Sequence, residues 1–287
     1  MSIRFFTNNE IDRAKWNECV SNSPQCLPYA RFEYLEGVCN SVWGGLIYND
    51  YEAVFPIPYQ KKWGLIYYVY QPYFCQQLGV FGLSNITTEA FLKKLPLRFR
   101  RVHLCVHSSA GDVKKAEEKT NFILHRKDGE KPFNKDAIKN VNKCKKAGLS
   151  YTQTKDVGLV IKTYHDAWGD KAELSFPEDY IGFEKACRSL IGSNHIYVCL
   201  AKNKYTLLGV AIFLVSKKMV HYVCAAPTIE GKRIGVMHGI IDHIADHFPN
   251  KSIDFEGSSI PSVANFYQKF GAQNVPYLSI ERNLRLL

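Results

Sequence analysis

Two stretches of the chain show the same order of alternating apolar and polar positions. Residues 44–74 predict three strands joined by short polar turns, and residues 195–227 predict the same arrangement. In both cases a helical pattern follows, and then one more short apolar strand. Two copies of one unit, in which three strands precede a helix and a fourth strand, explain this recurrence better than chance.

The length of 287 residues is enough for two domains that each bury a core. The repeat therefore predicts an α/β protein of two tandem domains, each a mixed, mostly antiparallel sheet flanked by helices. We place the boundary near Gly148, with an N-terminal domain over residues 1–148 and a C-terminal domain over residues 149–287. The motifs that point to chemistry all lie in the second half, so we expect the active cleft in the C-terminal domain.

Composition and charge narrow the cellular setting and the partners. The N-terminal residues turn polar before an apolar segment develops, and the longest strongly apolar run, Leu207–Val215, is too short to cross a membrane. The nine cysteines form no C-x-x-C pair, so we expect reduced thiols in a cytoplasmic protein. A formal net charge of +10 favours an anionic partner such as RNA, a nucleotide-bearing cofactor or a lipid surface.

Lysines recur every three or four residues between the two halves, which predicts one basic stripe along a helix. The stripe consists of Lys135, Lys139, Lys143 and Lys146. Gly148 supplies a helix stop. Two interpretations remain open: a solvated helix face, which is the more common role of such a run, and a surface that binds a polyanion.

The stretch Ile253–Ala272 begins as a short strand that ends in Asp254 and Glu256, and continues into a helix that carries Tyr267. Because strand residues alternate sides, the two acids are expected to share a face while Phe255 points into the core. A carboxylate can take a proton from an attacking amine, and a tyrosine hydroxyl can donate one to a leaving group. The alternative is structural, with the acids capping or pairing locally and Tyr267 packing in the core.

Three segments of the chain resemble the GNAT acyltransferase superfamily, and the duplicated layout resembles its two-domain Fem-type branch, which includes the FemABX aminoacyltransferases. The segments are residues 133–149, which resemble the basic helix leading into the second Fem-type domain, residues 221–244, which resemble the central strand, donor loop and following helix, and residues 253–272. The last, IDFEGSSIPSVANFYQKFGA, is the most specific.

The resemblance implies a donor site and an acid. GNAT enzymes hold the pyrophosphate of acyl-CoA on an R/Q-x-x-G-x-G/A turn, where backbone N–H groups and the helix dipole favour an anion. The matching segment here is TIEGKRIG, with Gly231 at the first glycine position, Arg233 at the second and Gly235 two residues late. Lys232 and Arg233 can pair with phosphates by charge. A basic turn that binds no ligand is the alternative. Tyr267 occupies the place of the superfamily's general-acid tyrosine.

No metal site is predicted, because the ligand-type residues are badly spaced. His103 and His107 stand about 13 Å apart on one strand, too far to share an ion with Cys105. His243 and His247 flank the apolar side of a helix.

The leading function is transfer of an acyl or aminoacyl group to an amine on a small molecule or peptide. Either acyl-CoA or aminoacyl-tRNA can be the donor, which makes tRNA a candidate partner. The rivals are a non-catalytic protein that binds RNA or another anion on a GNAT scaffold, and ordinary acyl-CoA-dependent acetylation.

Overall fold

The computed structural model describes residues 2–62, 66–83, 86–107, 113–169, 177–258 and 260–284. The chain forms two compact units. The first contains Met1–Lys119, Ile181–Ser189 and Pro276–Leu287, and the second contains Thr120–Tyr180 and Leu190–Val275.

The strands and helices are as follows. The strands are β1 (Ile3–Thr7), β2 (Trp43–Tyr48), β3 (Ala53–Lys62), β4 (Ile66–Val69), β5 (Phe81–Gly82), β6 (Phe99–Val106), β7 (Ala116–Lys119), β8 (Phe122–Leu124), β9 (Leu149–Gln153), β10 (Ile196–Asn203), β11 (Thr206–Val215), β12 (Met219–Pro227), β13 (Ser252–Asp254), β14 (Gln273–Asn274) and β15 (Tyr277–Asn283). The helices are α1 (Arg13–Asn22), α2 (Phe32–Val38), α3 (Thr88–Leu92), α4 (Lys135–Lys146), α5 (Val157–Trp168), α6 (Pro177–Leu190), α7 (Ile229–Ile234), α8 (Val236–His247) and α9 (Pro261–Gln268).

The sheet of the first unit has the strand order β1-β2-β3-β4-β6-β15-β7, with β5 paired to β3. Its penultimate member, β15, comes from the C-terminus of the chain and pairs antiparallel with both β6 and β7. The first unit is thus completed by residues that follow the second unit in sequence.

The sheet of the second unit has the order β14-β8-β13-β12-β11-β10-β9. β8 lies inside this sheet because it pairs antiparallel with β13 and β14. α4 buries Ala137, Val141 and Cys144 and packs against α8. The division between the units therefore falls after Lys119, not at the predicted Gly148, because β8 and α4 bury their apolar side chains in the second unit.

The predicted repeat is present in the topology of the two sheets. β2, β3 and β4 form an antiparallel meander whose last strand pairs parallel with β6. β10, β11 and β12 form a second meander whose last strand pairs parallel with β13. Each sheet is mixed, mostly antiparallel and accompanied by helices, which confirms the predicted fold class. Among the described residues, no helix is long and apolar enough to cross a membrane.

Candidate active site

Among the described residues, the two parallel strands of the second sheet pair over only a short length. β12 and β13 pair only from Met219↔Ser252 to His221↔Asp254. β13 then ends, while β12 continues to Pro227 alongside β11. A β-bulge in β12, at the register shift between Ile212 and Phe213 of β11, lies just past the last parallel pair. Bulges re-aim side chains and often lie beside functional sites.

Asp254 lies at the point where the strands separate. Its side chain is almost fully buried, and its Oδ2 atom lies 3.4 Å from Nδ1 of the fully buried His221 on β12. Its Oδ1 atom accepts a hydrogen bond of 2.9 Å from the backbone N–H of Glu256. A buried carboxylate needs such partners, because removing it from water without them is costly. Asp254 thus connects β12 to the turn that carries Glu256.

Glu256 adopts a left-handed backbone conformation, with φ of 64°, and Gly257 follows with φ of 67°. A Cβ atom at Gly257 would lie 2.0 Å from the carbonyl oxygen of Thr120, so only glycine fits there. A non-glycine residue in this conformation stores strain and is often found at functional sites.

The carboxyl group of Glu256 is the unusual feature of this turn. The residue is half-buried, but its Oε1 atom is inaccessible to solvent and has no hydrogen-bond partner among the described residues. Burial raises its pKa to about 8 because the charged form loses hydration. Glu256 therefore carries a carboxyl group that titrates close to neutral pH.

The turn corrects one sequence expectation. Strand alternation predicted that Asp254 and Glu256 share a face, but the strand ends at Asp254 and the backbone turns at Glu256. Phe255 is buried in the core as expected. The two acids are related by a side chain-to-backbone hydrogen bond, and not by the pleat of a strand.

Tyr267 lies on α9 and packs its ring against this turn. The ring stacks on Phe255 at a centroid distance of 4.7 Å and also contacts Phe122 and Tyr222. Burial raises its pKa well above the usual range, and the nearby charges of Glu256 and Asp254 raise it further. The structure thus brings the three residues predicted for catalysis together, with the tyrosine held in its protonated form.

The glycine turn expected to hold a donor phosphate is shaped by packing. Thr228 caps α7, and its Oγ1 atom accepts the N–H of Gly231 at 3.1 Å. A Cβ atom at Gly231 would lie 1.8 Å from the carbonyl oxygen of Leu208, so β11 requires the glycine. Gly235, with φ of 79°, forms the break between α7 and α8. Lys232 and Arg233 are exposed.

The four lysines of the stripe are all exposed on α4, opposite its buried face. Lys143 donates a hydrogen bond of 2.6 Å to the carbonyl oxygen of Arg233. This bond joins α4 to the end of α7, so the stripe and the basic turn form one positive surface. We call Lys135, Lys139, Lys143, Lys146, Lys232 and Arg233 the basic surface.

Sequence reasoning missed two residues that build the site. His221 precedes Asp254 by more than thirty positions and shows no motif, so only the parallel pairing of β12 with β13 identifies it. Thr228 was a detectable helix cap, because it stands three residues before Gly231 at the start of a helical pattern.

Comparisons with known proteins agree with this architecture. The sequence matches no protein-family model and has no significant match among curated proteins. The crystal structure of FemX is similar over 93% of this chain and 96% of its own, with a TM-score of 0.69 and 11% identity.

Two other solved structures are similar over nearly their whole length. One is a conserved protein of unknown function from Bacteroides thetaiotaomicron, with a TM-score of 0.65, 9% identity, and coverage of 99% of this chain and 100% of that one. The other is a tandem GNAT protein from the clavulanic acid biosynthesis pathway, with a TM-score of 0.52, 9% identity and 99% coverage of each chain. The chain has the two-domain fold of the tandem GNAT and Fem-type proteins.

Proposed function

We propose that the second unit transfers an acyl or aminoacyl group from an activated donor to an amine. The observation that carries this proposal is the carboxyl group of Glu256, whose Oε1 atom is buried without a hydrogen-bond partner among the described residues, beside Tyr267. A buried, unpaired polar atom is costly to a fold, and an acceptor amine would satisfy it. The fold shared with FemX and the tandem GNAT protein supports the same reaction class.

The chemistry follows from the two groups. Glu256, with a pKa of about 8, accepts a proton from the attacking amine, since a general base works best when its pKa lies near the operating pH. The amine nitrogen then forms a bond to the donor carbonyl carbon, and the bond to the leaving atom breaks. Tyr267 donates its proton to that leaving atom. Asp254 keeps the Glu256 turn in place through its bond to the backbone N–H.

The basic surface is our candidate for the anionic part of the donor. Acyl-CoA and aminoacyl-tRNA both carry phosphates, and lysine and arginine side chains bind phosphates by charge. The backbone N–H of Gly231 already donates a hydrogen bond to Oγ1 of Thr228 and is not free to bind a phosphate. We therefore assign donor binding to the side chains of Lys232 and Arg233, with Gly231 and Gly235 shaping the turn that presents them.

The alternative is a protein that binds RNA or another anion without catalysis. This alternative is favoured by the position of the basic surface on α4 and α7, because its lysine and arginine side chains could bind an anion without any contribution from the Glu256 turn. The two functions differ in one respect: only catalysis requires the carboxyl group of Glu256.

A donor screen followed by a transfer assay tests the proposal. Thermal shifts are measured with acetyl-CoA, longer acyl-CoAs and charged tRNA, because a ligand present at 100 times its Kd stabilises the folded state by about 2.7 kcal/mol. The stabilising donor is then incubated with a panel of amines, with wild-type protein and Glu256→Gln in parallel. Transfer by the wild type alone supports the proposal. Binding with equal, background transfer by both proteins would favour the non-catalytic alternative.

A further inference from the structure

Two large apolar side chains project into solvent at one end of the second sheet. Tyr205 lies in the short turn between β10 and β11, and Ile229 is the first residue of α7. They are 98% and 82% exposed, the highest values among the large apolar residues that the structure describes. Single exposed apolar residues are common on protein surfaces. What distinguishes these two is their position at the same end of the sheet.

Hydrogen bonds to the start of β11 fix this common position. The backbone N–H of Thr228 donates to the carbonyl oxygen of Leu208 at 2.8 Å, and the Thr228 hydroxyl donates to the same oxygen at 3.1 Å. Thr228 directly precedes Ile229, and Leu208 follows Tyr205 by three residues. β12 ends next to the start of β11, because the two strands are antiparallel. The β10–β11 turn and the start of α7 therefore lie side by side.

Lysine side chains surround the two apolar residues. On the hairpin, Lys204 is exposed and Lys202 is partly exposed. On α7, the exposed Lys232 follows Ile229 by three positions, so the two side chains share a helix face. Glu230 is an exposed acid beside Ile229. The lysines outnumber this acid, so the surroundings of the apolar pair are positive.

The C-terminal end of α4 adds to this charge. Leu149 of β9 pairs with Asn203, which is the last residue of β10 before the turn. Lys146, the last residue of α4, precedes Leu149 by three positions and is exposed. The basic surface thus continues up to the two apolar side chains.

This combination of side chains fits the boundary between lipid headgroups and acyl chains. A tyrosine ring has an apolar body and a polar hydroxyl, which suits the headgroup region. Lysine stems cover apolar surface while their ammonium groups reach anionic headgroups. Single-stranded RNA would stack its bases on Tyr205 and bind its phosphates to the lysines, but it would not bury an isoleucine. The aliphatic side chain of Ile229 therefore favours a bilayer.

We propose that the second unit docks on an anionic lipid bilayer through Lys202, Lys204, Tyr205 and Ile229, which we call the docking edge. Tyr205 and Ile229 enter the headgroup boundary, and the two lysines bind headgroup phosphates. The docking edge goes beyond the proposed function, because none of its four residues belongs to the proton-transfer groups or to the basic surface.

Vesicle co-sedimentation tests the apolar part of the docking edge. Wild-type protein should bind vesicles made of equal parts of phosphatidylcholine and phosphatidylglycerol, and should not bind vesicles of phosphatidylcholine alone. Tyr205→Ser with Ile229→Ser should lower the partition coefficient on the mixed vesicles by at least about 10-fold, because both side chains lose their burial. Leu83→Ser with Leu97→Ser removes two exposed apolar side chains from the first unit and should leave binding unchanged.

The charged part is tested in parallel against vesicles and tRNA. Lys204→Gln should lower binding to the mixed vesicles by about 5-fold, since a lysine near an anionic bilayer contributes about 1 kcal/mol. Loss of vesicle binding in both the lysine variant and the apolar double variant supports the proposal. No binding of wild-type protein to the mixed vesicles, or equal binding by the wild type and the apolar double variant, would overturn it. Binding to tRNA alone, weakened by Lys204→Gln but not by Ile229→Ser, would assign the edge to RNA instead.

A second measurement reports directly on insertion. Tyr205→Trp keeps an aromatic ring at an exposed position, so the fold does not depend on it. The difference in emission between this variant and the wild type should shift to shorter wavelength on mixed vesicles and should be quenched by brominated lipid. An unmoved, unquenched difference spectrum on bound vesicles would overturn the proposal. These readouts are independent of turnover, so a failed transfer assay would count against the proposed function alone.

Discussion

The two units build the same strand arrangement and finish it differently. In the first unit, the edge beyond the short β4–β6 pairing is occupied by the chain itself: Leu78 forms a parallel bridge to Val106 and donates its N–H to the carbonyl oxygen of Cys105. The side chain of Gln71 accepts the N–H of Cys105. In the second unit, β12 extends past the end of β13. A repeated topology thus gives one edge that is filled and one edge, on β12 past His221, with which no strand pairs among the described residues.

The strand ends differ in chemistry as well. β6 ends at Val106, and the next residue, His107, is buried and bonded to the carbonyl oxygen of Val80. β13 ends at Asp254, followed by a left-handed turn that buries the carboxyl group of Glu256. The duplicated fold positions a strand end in both units. Among the described residues, the strand end of the second unit carries acids beside the continuing strand β12 and forms the candidate site, whereas that of the first unit is packed against the chain itself.

The largest effect should come from removing the proton-transfer groups. Glu256→Gln and Tyr267→Phe keep the shape of the site and should each lower turnover by roughly 10²–10⁴-fold. Glu281→Gln, an exposed acid on β15 of the first unit, is the matched control and should keep full turnover. Because the two groups act together, the double variant should lose less than the product of the single losses. Full activity in either single variant would remove that residue from the mechanism.

Glu256 in the second unit and Glu281 in the first should contribute to the free energy of unfolding with opposite dependences on pH. Burial raises the pKa of Glu256 from about 4.5 to about 8, so between these values the folded protein binds more protons than the unfolded chain. Its free energy of unfolding therefore falls as the pH rises from about 4.5 to about 8. The fall is at most about 5 kcal/mol, since one pKa unit corresponds to about 1.4 kcal/mol.

Thermal unfolding of Glu256→Gln across pH 4 to 9 measures this contribution. The variant should gain stability over the wild type at pH 9 and match it at pH 4. Glu281 behaves in the opposite way: its hydrogen bond to Arg101 lowers its pKa, so it stabilises above about pH 4.5 and loses that small contribution as the pH falls. If wild type and Glu256→Gln show the same dependence of stability on pH, the carboxyl group of Glu256 is hydrated in the folded protein.

Gly257, in the turn after Glu256, should tolerate substitution less well than Gly148, which has a similar backbone conformation. Gly257 and Gly148 both have a positive φ, of 67° and 66°. A Cβ atom at Gly257 meets the Thr120 carbonyl at 2.0 Å, whereas none of the described atoms lies within 4 Å of one at Gly148. Gly148→Ala should therefore lower the free energy of unfolding by only about 1–2 kcal/mol, the cost of the left-handed conformation. Gly257→Ala should lose clearly more in urea unfolding, and equal losses would contradict the packing argument.

The smallest effect concerns the basic surface. Lys139→Gln with Lys146→Gln should weaken tRNA or acyl-donor binding, and for a polyanion should flatten the salt dependence by about 0.7–0.9 per lost phosphate contact. Lys93→Gln with Lys94→Gln removes the same charge from an exposed site in the first unit and should leave the slope unchanged. Filter binding at several salt concentrations provides the measurement. If both double variants show the same dependence of binding on salt concentration, the lysines of α4 form a solvated helix face and not a binding surface.

Local patterns were sufficient to predict much of the molecule. The meanders follow from period-two alternation and polar turns, which act over a few residues. The lysine stripe follows from helical spacing, and the structure places all four lysines on the exposed side of α4. The stretch from Ile253 to Ala272 could also be interpreted as a strand, a turn and a helix, because each element has its own local signal.

Other features depended on partners that are distant in sequence. The left-handed turn at Glu256 could not be predicted, because alternation gives no sign that the strand stops at Asp254. That end is determined by the side chain of Asp254, by His221 on the neighbouring strand and by the Thr120 carbonyl against Gly257. The unit boundary was missed for a related reason: β8 joins the second sheet only through its pairing with β13 and β14.

The two meanders, the basic helix and the set of candidate residues could all be predicted from the sequence, because alternation, helical spacing and side-chain chemistry are local properties. Contacts in the folded chain, and not local patterns, place β15 in the first sheet, fill the edge beyond β4 with Leu78, end the β12–β13 pairing at Asp254 and bring Trp168 to Ala225. Which strand edges pair, and which carboxyl groups are buried away from water, depends on contacts between residues that are far apart in the chain.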